Sequence, residues 1–328
     1  MNNGDVFGGK FDYGQYDGKG IYLYNNGDIY EGDLKQNLKH GKGTYYYHKY
    51  NCLYIGEWKD NVKEGFGQLI LNNNEKYEGY FKQNIKCGKG IYYFKNGDKF
   101  KGEWIYDKKC GFGTLIFKNG SVFSGNFYDD NPYGQGQMKF LNGDTYKGNY
   151  EDGFMEGYGI YIHQDQQCYI GDFRNNQEDG EGMFYFKNGD FYQGHFLNGK
   201  RDGFGRYKYN GSNVVYEGQW KNNIKEGQGS LFYRNNCVYQ GTFLNSMKHG
   251  KGKYTYSNQE YYVGDWEFGK RSGFGFYFFQ DGSYYEGEWK NDQIFGRGSF
   301  FKKKGNQFQV YKGLWDNSNF VKEEVEEL

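Results

Sequence analysis

Tyr30-Glu31-Gly32-Asp33-Leu34, followed nine residues after its central glycine by Gly41-Lys42-Gly43, decides the fold. The first pentad is an aromatic residue, any residue, Gly, any residue, and a large apolar residue. The same pattern stands at Phe7-Gly8-Gly9-Lys10-Phe11, Tyr54-Ile55-Gly56-Glu57-Trp58 and Phe100-Lys101-Gly102-Glu103-Trp104. It returns at Tyr216-Glu217-Gly218-Gln219-Trp220, Tyr285-Glu286-Gly287-Glu288-Trp289 and, last, Tyr311-Lys312-Gly313-Leu314-Trp315. Its Gly-x-Gly companion recurs in the same phase, as in Gly65-Phe66-Gly67, and the period is 23 residues, with 24 twice. A fixed period of this size is the mark of a repeat architecture. Asn-Gly dipeptides punctuate the units at Asn26-Gly27, Asn96-Gly97, Asn119-Gly120, Asn142-Gly143 and Asn188-Gly189, the strongest short-range hairpin signal.

Each unit therefore reads as strand, loop, strand, turn. Alternation along a strand places Tyr30, Gly32 and Leu34 on one face, and Gly41, Gly43 and Tyr45 on one face. If the loop Lys35–His40 sets Leu34 opposite Gly41, then Gly32 faces Gly43 and Tyr30 faces Tyr45. A one-residue slip would flip every side chain. A strict two-residue turn at Asn26-Gly27 would put the aromatic face on the wrong side. A three-residue turn with Gly27 as a left-handed bulge sets Tyr22 opposite Tyr30, and is expected. Glycines flanking Trp58 or Trp104 are expected to let the indole lie flat on the backbone, a reason for Gly inside strands. The fold class is all-β: an elongated single-layer antiparallel β-meander of about thirteen hairpin units, one ribbon over residues 1–319 with an acidic tail at 320–328. At about 4.8 Å per strand it would be roughly 125 Å long.

Composition agrees. There are 54 Gly, one Pro, 22% aromatic residues and no alanine, which argues against a mainly helical chain. Lys+Arg and Asp+Glu are each 41, a balance that argues against nucleic acid as partner. Mean hydropathy is −1.03, yet the aromatic content is opposite to that of disordered chains. The start lacks a basic-then-apolar leader, and no apolar run reaches membrane-spanning length. Cys52, Cys87, Cys110, Cys168 and Cys237 form no framework, and a reducing, cytoplasmic compartment is expected.

Units such as Tyr285-Glu286-Gly287-Glu288-Trp289-Lys290-Asn291 with Gly296-Arg297-Gly298 resemble MORN repeats, over residues 7–315. The resemblance implies an elongated non-catalytic β-meander used for interaction. Its relatives include junctophilins, plant phosphatidylinositol-phosphate kinases, a lysine methyltransferase, protist cytoskeletal scaffolds and radial spoke head proteins. With no kinase or methyltransferase domain beyond the repeats, this chain is similar to the all-repeat scaffolds. It is expected to hold together a cytoskeletal assembly, concretely the radial spoke head of a ciliary axoneme.

No nucleophile–base constellation breaks the repeat symmetry, so no catalytic residue, metal or cofactor is expected. Gly-x-Gly lies inside strands rather than between a strand and a helix, unlike a phosphate loop. Glu31, Glu57, Glu78, Glu103, Glu217, Glu286 and Glu288 alternate onto the less apolar face and read as solvated. Lys35, Lys39, Lys59, Lys63, Lys82, Lys86, Lys108, Lys109, Lys200, Arg201, Lys221, Lys225, Lys248, Lys270 and Arg271 fall in the loops on one edge, shared with Glu64, Glu156, Asp179, Asp202 and Glu226; they read first as a solvated edge, and as the one candidate surface for an anionic lipid or acidic partner. The alternative functions are therefore a phosphoinositide-binding membrane adaptor and a regulatory subunit of a separately encoded enzyme. A single layer cannot cover all its aromatics, so peptide or helix docking on the aromatic face is preferred. The ends, with Phe7 and Phe11 on an uncovered first strand and Tyr311 and Trp315 on a last strand without its Gly-x-Gly mate, suggest self-association or partner docking.

Overall fold

The computed structural model describes residues 4–323, with the side chain of Glu323 excepted. The fold is all-β and antiparallel. Seven-residue strands such as Ile29–Lys35 alternate with longer ones such as Leu38–Tyr47, and a helical turn, His48–Tyr50, follows the latter. The chain divides into two compact units, Met1–Gln164 and Asp165–Leu328. In the first, strands run from Val6–Asp12 to Phe154–Ile162, and each pairs antiparallel with the next in sequence. The second repeats the arrangement from Cys168–Arg174 to Asn319–Glu323.

The Asn-Gly turn forms as the spacing requires. Gly27 N–H donates to Tyr24 O, Tyr24 N–H donates to Asp28 O, and Gly27 has φ +87°. This three-residue turn with a glycine bulge sets Tyr22 opposite Tyr30. Gly32 faces Gly43 and Tyr30 faces Tyr45, also as expected.

The other connection differs from the sequence expectation. Leu34 pairs with Lys39, not Gly41, and Lys35 pairs with Leu38. The loop is thus no six-residue segment but a two-residue turn, Gln36-Asn37, with both residues left-handed (φ 51° and 70°). The surplus residues are absorbed in a bulge, where His40, Gly41 and Lys42 stand against Asp33 alone. Gly41, at φ +60°, makes the bulge possible. Counting by twos through Gly-x-Gly cannot reveal this, because a bulge changes the count without changing which residues are apolar.

The last Gly-x-Gly is missing as the sequence indicates, but the expected tail at 320–328 begins as a strand. Gln307–Asp316 has a mate, because Asn319–Glu323 pairs with it and Trp315 stands opposite Phe320. The remaining acidic tail, 324–328, lies outside the described residues.

Candidate functional site

The core is built from one ring per repeat laid on glycine. Tyr30, Tyr54, Tyr216 and Tyr285 are fully buried, at 0% exposure, although among the described residues no second sheet covers them. A Cβ added at Gly43 would meet the Tyr30 ring at 2.5 Å, and one at Gly56 would meet the Tyr54 ring equally closely. Gly67 receives Tyr54 in the same way, and Gly102 receives Phe100. Gly218 receives Tyr216, and Gly287 receives Tyr285. The ring lying on the glycine pair is therefore the tyrosine, not the tryptophan as the sequence suggested. Trp58 stands edge-on between Tyr30 and Tyr54, at 5.7 and 5.1 Å between centroids. Trp58, Trp220 and Trp289 use their indole N–H instead, each donating to a glycine carbonyl (Gly43, Gly205 and Gly275). Trp104 Nε1 has no such partner among the described residues.

Polar groups disturbed by the bulge are also satisfied within the repeat. Tyr30 Oη donates to Asp33 O at 2.6 Å, Tyr54 Oη to Glu57 O and Tyr285 Oη to Glu288 O. On the other face, Glu57 accepts the Phe66 N–H and Glu288 the Arg297 N–H. Those two carboxylates are thus bulge caps rather than merely solvated charges. Gly65 and Gly296, left-handed at φ +87° and +75°, bring the N–H groups within reach.

The principal correction concerns the basic residues. Because Leu34 pairs with Lys39, the Lys39 side chain joins the aromatic face. Its Nζ lies 4.5 Å from the Tyr45 ring and 5.0 Å from the Trp58 ring. The same slot places Lys86 at 4.6 Å from Trp104, Arg201 at 4.5 Å from Trp220, Lys248 at 4.3 Å from Trp266 and Arg271 at 4.3 Å from Trp289. Lys63, Lys109 and Lys225 sit over tyrosine and phenylalanine rings. Burial pulls the ammonium groups of Lys39, Lys63, Lys86, Lys109 and Lys248 below the ordinary lysine range, and the Arg201 guanidinium below its own. These cations form the lid of the aromatic core and not a solvated edge. Lys35, Lys59, Lys82, Lys108, Lys200, Lys221 and Lys270 remain exposed at the turns.

Beside the lid runs a stripe of half-buried rings. In the first unit the half-buried Tyr24 and Tyr47 flank the buried Tyr45 at 5.7 and 4.4 Å. In the second, Tyr233, Tyr254, Tyr256, Tyr277, Phe279 and Phe300 form a continuous series at 4.6–5.9 Å. Burial, first, pushes the Tyr24 phenol up to about 12. Most of these rings keep part of their surface open to solvent on the aromatic face.

Successive repeats are tied at both margins. Asp28 accepts the His48 N–H and the Tyr45 hydroxyl from the next hairpin; Asp144 and Asp190 repeat this with Gln164 and Tyr161 and with Asn210 and Tyr207. At the opposite margin Asn61 Oδ1 accepts the Lys39 N–H, and Asn223 Oδ1 the Arg201 N–H. Pro132, the single proline, occupies that slot where no N–H needs an acceptor, and the turn residue docked against it is Gly153.

Of the end residues, Phe11 is 61% exposed and stacks edge-on with Phe7 and Tyr16. Tyr311 and Trp315 are half-covered, with Phe320 at 6.3 and 5.1 Å. Among the described residues no helix is long and apolar enough to cross a membrane, and no group of three metal-ligating side chains converges.

No curated protein matches the chain. Among solved structures, a mutant of the TCP10 domain of Danio rerio CPAP is similar at 16% identity and TM-score 0.36, covering 63% of this chain and 90% of that one. The wild-type domain in complex with a peptide of Danio rerio STIL is similar at 12% identity and TM-score 0.28, covering 80% and 93%. The MORN repeat model matches residues 9–29, 30–52, 54–76, 77–99, 100–122, 146–168, 169–191, 192–214, 216–238, 239–261, 262–284 and 285–307. The chain therefore belongs to the MORN-repeat family, as a protein built of these repeats along nearly its whole described length.

Proposed function

We propose that this chain is a non-catalytic scaffold that docks segments of other proteins on its aromatic face within a cytoskeletal assembly, concretely a ciliary radial spoke head. The observation that carries the docking is the stripe of half-buried rings. It presents aromatic surface in a rigid, repeated frame and suits an apolar helix or extended segment laid along it. The cytoskeletal and ciliary placement rests on the all-repeat organisation. The exposed first strand Val6–Asp12 offers unpaired backbone groups for a second copy or partner.

Detergent extraction of cells carrying the tagged protein tests this. Retention in the insoluble cytoskeleton or axoneme at moderate salt is expected, with loss of retention when Tyr254 and Tyr256 are both changed to Ser. Release by detergent alone overturns it. The second reading, an adaptor on anionic phospholipid, rests on the exposed lysines at the turns, such as Lys35, Lys59 and Lys82. It requires salt-sensitive binding to phosphoinositide vesicles.

A further inference from the structure

Seven Asn-Gly dipeptides fall within the described residues, beginning at Asn26, Asn96, Asn119, Asn142, Asn188, Asn198 and Asn210. The dipeptide carries a chemistry of its own, because the glycine nitrogen lies next to the asparagine amide and no Cβ hinders it. Six of the seven are closed to that chemistry. Gly27, Gly97, Gly120, Gly143 and Gly189 each donate their N–H to the carbonyl three residues back, at 2.9–3.0 Å. Gly199 donates to Glu178 O at 2.8 Å. In the first five turns the amide is held as well. Oδ1 of Asn26, Asn96, Asn119, Asn142 and Asn188 accepts the backbone N–H two residues on.

Asn210-Gly211 differs because its turn is one residue longer. The regular turn closes from Phe186 N–H to Asp190 O, whereas this one closes from Tyr209 N–H to Val214 O. The insertion leaves Asn210 directly after Tyr209, while Asn188 stands two places after Phe186. Gly211 thereby loses the three-residue separation from the ring residue's carbonyl that ties the other glycine N–H groups. A tighter turn forms instead. Ser212 N–H donates to Asn210 O, and Gly211 sits at the centre with φ +75°. Among the described residues neither the Gly211 N–H nor Asn210 Oδ1 has a partner. Both residues are exposed, and a Cβ at Gly211 would meet nothing within 4 Å.

We propose that Asn210-Gly211 is a self-modification site, at which the chain deamidates Asn210 with water as the only co-reactant. The Gly211 nitrogen attacks Cγ of Asn210. The N–Cγ bond forms, the Cγ–Nδ2 bond breaks, and Nδ2 leaves as ammonia with the proton lost from Gly211. Water then opens the cyclic imide at either carbonyl. One opening gives aspartate; the other gives isoaspartate, which adds a methylene to the backbone path. The position gives the change a structural consequence. Asn210 N–H donates to Asp190 Oδ1 at 2.7 Å and Asn210 Nδ2 to Asn188 O at 2.9 Å, a tie between successive repeats. The product sets a second carboxylate beside that of Asp190 and turns the donor facing Asn188 O into an acceptor. Modification thus loosens one repeat junction while the tied Asn-Gly turns stay intact. It is independent of the docking reading above.

The test incubates the full chain in mildly alkaline buffer and follows each Asn-Gly peptide by mass spectrometry after a rapid acidic digest. Asn210 is expected to convert about tenfold or more faster than Asn26, Asn96, Asn119, Asn142 and Asn188, whose turns must first break hydrogen bonds at both the glycine N–H and the amide. In denaturant the rates are expected to converge, because the fold and not the dipeptide sets the difference. Conversion of Asn210 no faster than that of the five tied turns overturns the proposal, as does a lead that persists in denaturant. Asn210→Gln removes the reactive amide spacing. It is expected to hold its denaturation midpoint during incubation while the midpoint of the parent falls. Asn210→Asp, made directly, is expected to start with a lowered midpoint. A midpoint that Asn210→Asp leaves unchanged, or an equal drift in parent and Asn210→Gln, overturns the loosening of the junction.

Discussion

Arg201 and Glu178 hold the same slot in adjacent repeats, yet their surroundings differ in how completely the chain serves them. Arg201 donates its backbone N–H and its Nε–H to Asn223 Oδ1 and a guanidinium N–H to Asn223 O, while its planar group covers Trp220. Glu178 faces the turn residue Gly199, whose N–H donates to Glu178 O but which has no side chain to accept anything in return. A repeat sheet can thus keep its backbone unchanged while one position exchanges a cation for a carboxylate beside equally buried rings, Tyr169 and Phe196 in one repeat and Tyr192 and Trp220 in the next. The glycine floor and the tyrosine are the frame, and the slot residue is the variable.

The frame should break identically in both repeats, and this is the largest effect expected. A Cβ at Gly182 would enter the Tyr169 ring at 2.4 Å, and one at Gly205 would meet Tyr192 as tightly. Gly182→Ala and Gly205→Ala are each expected to cost about 3 kcal/mol or more, since the ring has no second layer into which to retreat. Denaturant melts of the second unit check this. A cost near zero at either position would mean that the ring does not rest on its glycines.

The electrostatic contrast comes next. Burial raises the Glu178 carboxyl to about 7. Its folded pKa thus lies above the unfolded value of about 4.5, so the folded chain binds the proton more tightly between these limits. The associated stability is fully present below about pH 4.5 and is lost as pH rises through about 7. Glu178→Gln should therefore match the parent at pH 4.5 and exceed it at pH 8 by on the order of 2 kcal/mol. Melting curves at the two pH values check the sign. Arg201→Gln should give the reverse pattern in magnitude, a loss of about 1–2 kcal/mol with little slope between pH 5 and 8, because the guanidinium stays charged throughout.

This contrast also shows what was legible in the sequence. The repeat, the Asn-Gly bulged turn and the pairing of Tyr22 with Tyr30 followed from spacing, because turn type and side-chain alternation leave little choice. The place of the lysines did not. Lys39 and Lys35 both flank the turn, and only the bulge at Gly41 decides that one reaches the rings and the other reaches solvent. The available signal was positional: a basic residue recurs two places before Gly-x-Gly at Lys39, Lys63, Lys86, Lys109, Arg201, Lys225, Lys248 and Arg271. A merely solvated edge has no reason to keep that phase. The substitution of Glu178 in the same phase was visible too, but had no meaning until the slot's contents were known.

The smallest expected effect sharpens the comparison at the turn. Gly199 has φ +73°, and asparagine holds the equivalent turn position at Asn61 (φ 70°), Asn84 (φ 69°) and Asn223 (φ 70°). Gly199→Asn therefore introduces no backbone strain, and only the flexible end of Glu178 lies near the new Cβ. Its Oδ1 can accept the Glu178 N–H as Asn223 Oδ1 accepts that of Arg201 at 2.9 Å. Removing a glycine also reduces the freedom of the unfolded chain. Together these should stabilise the second unit by about 0.5–1 kcal/mol. A denaturant melt of the second unit checks this, and the absence of any gain would mean that the Glu178 N–H does not find its acceptor in the new side chain.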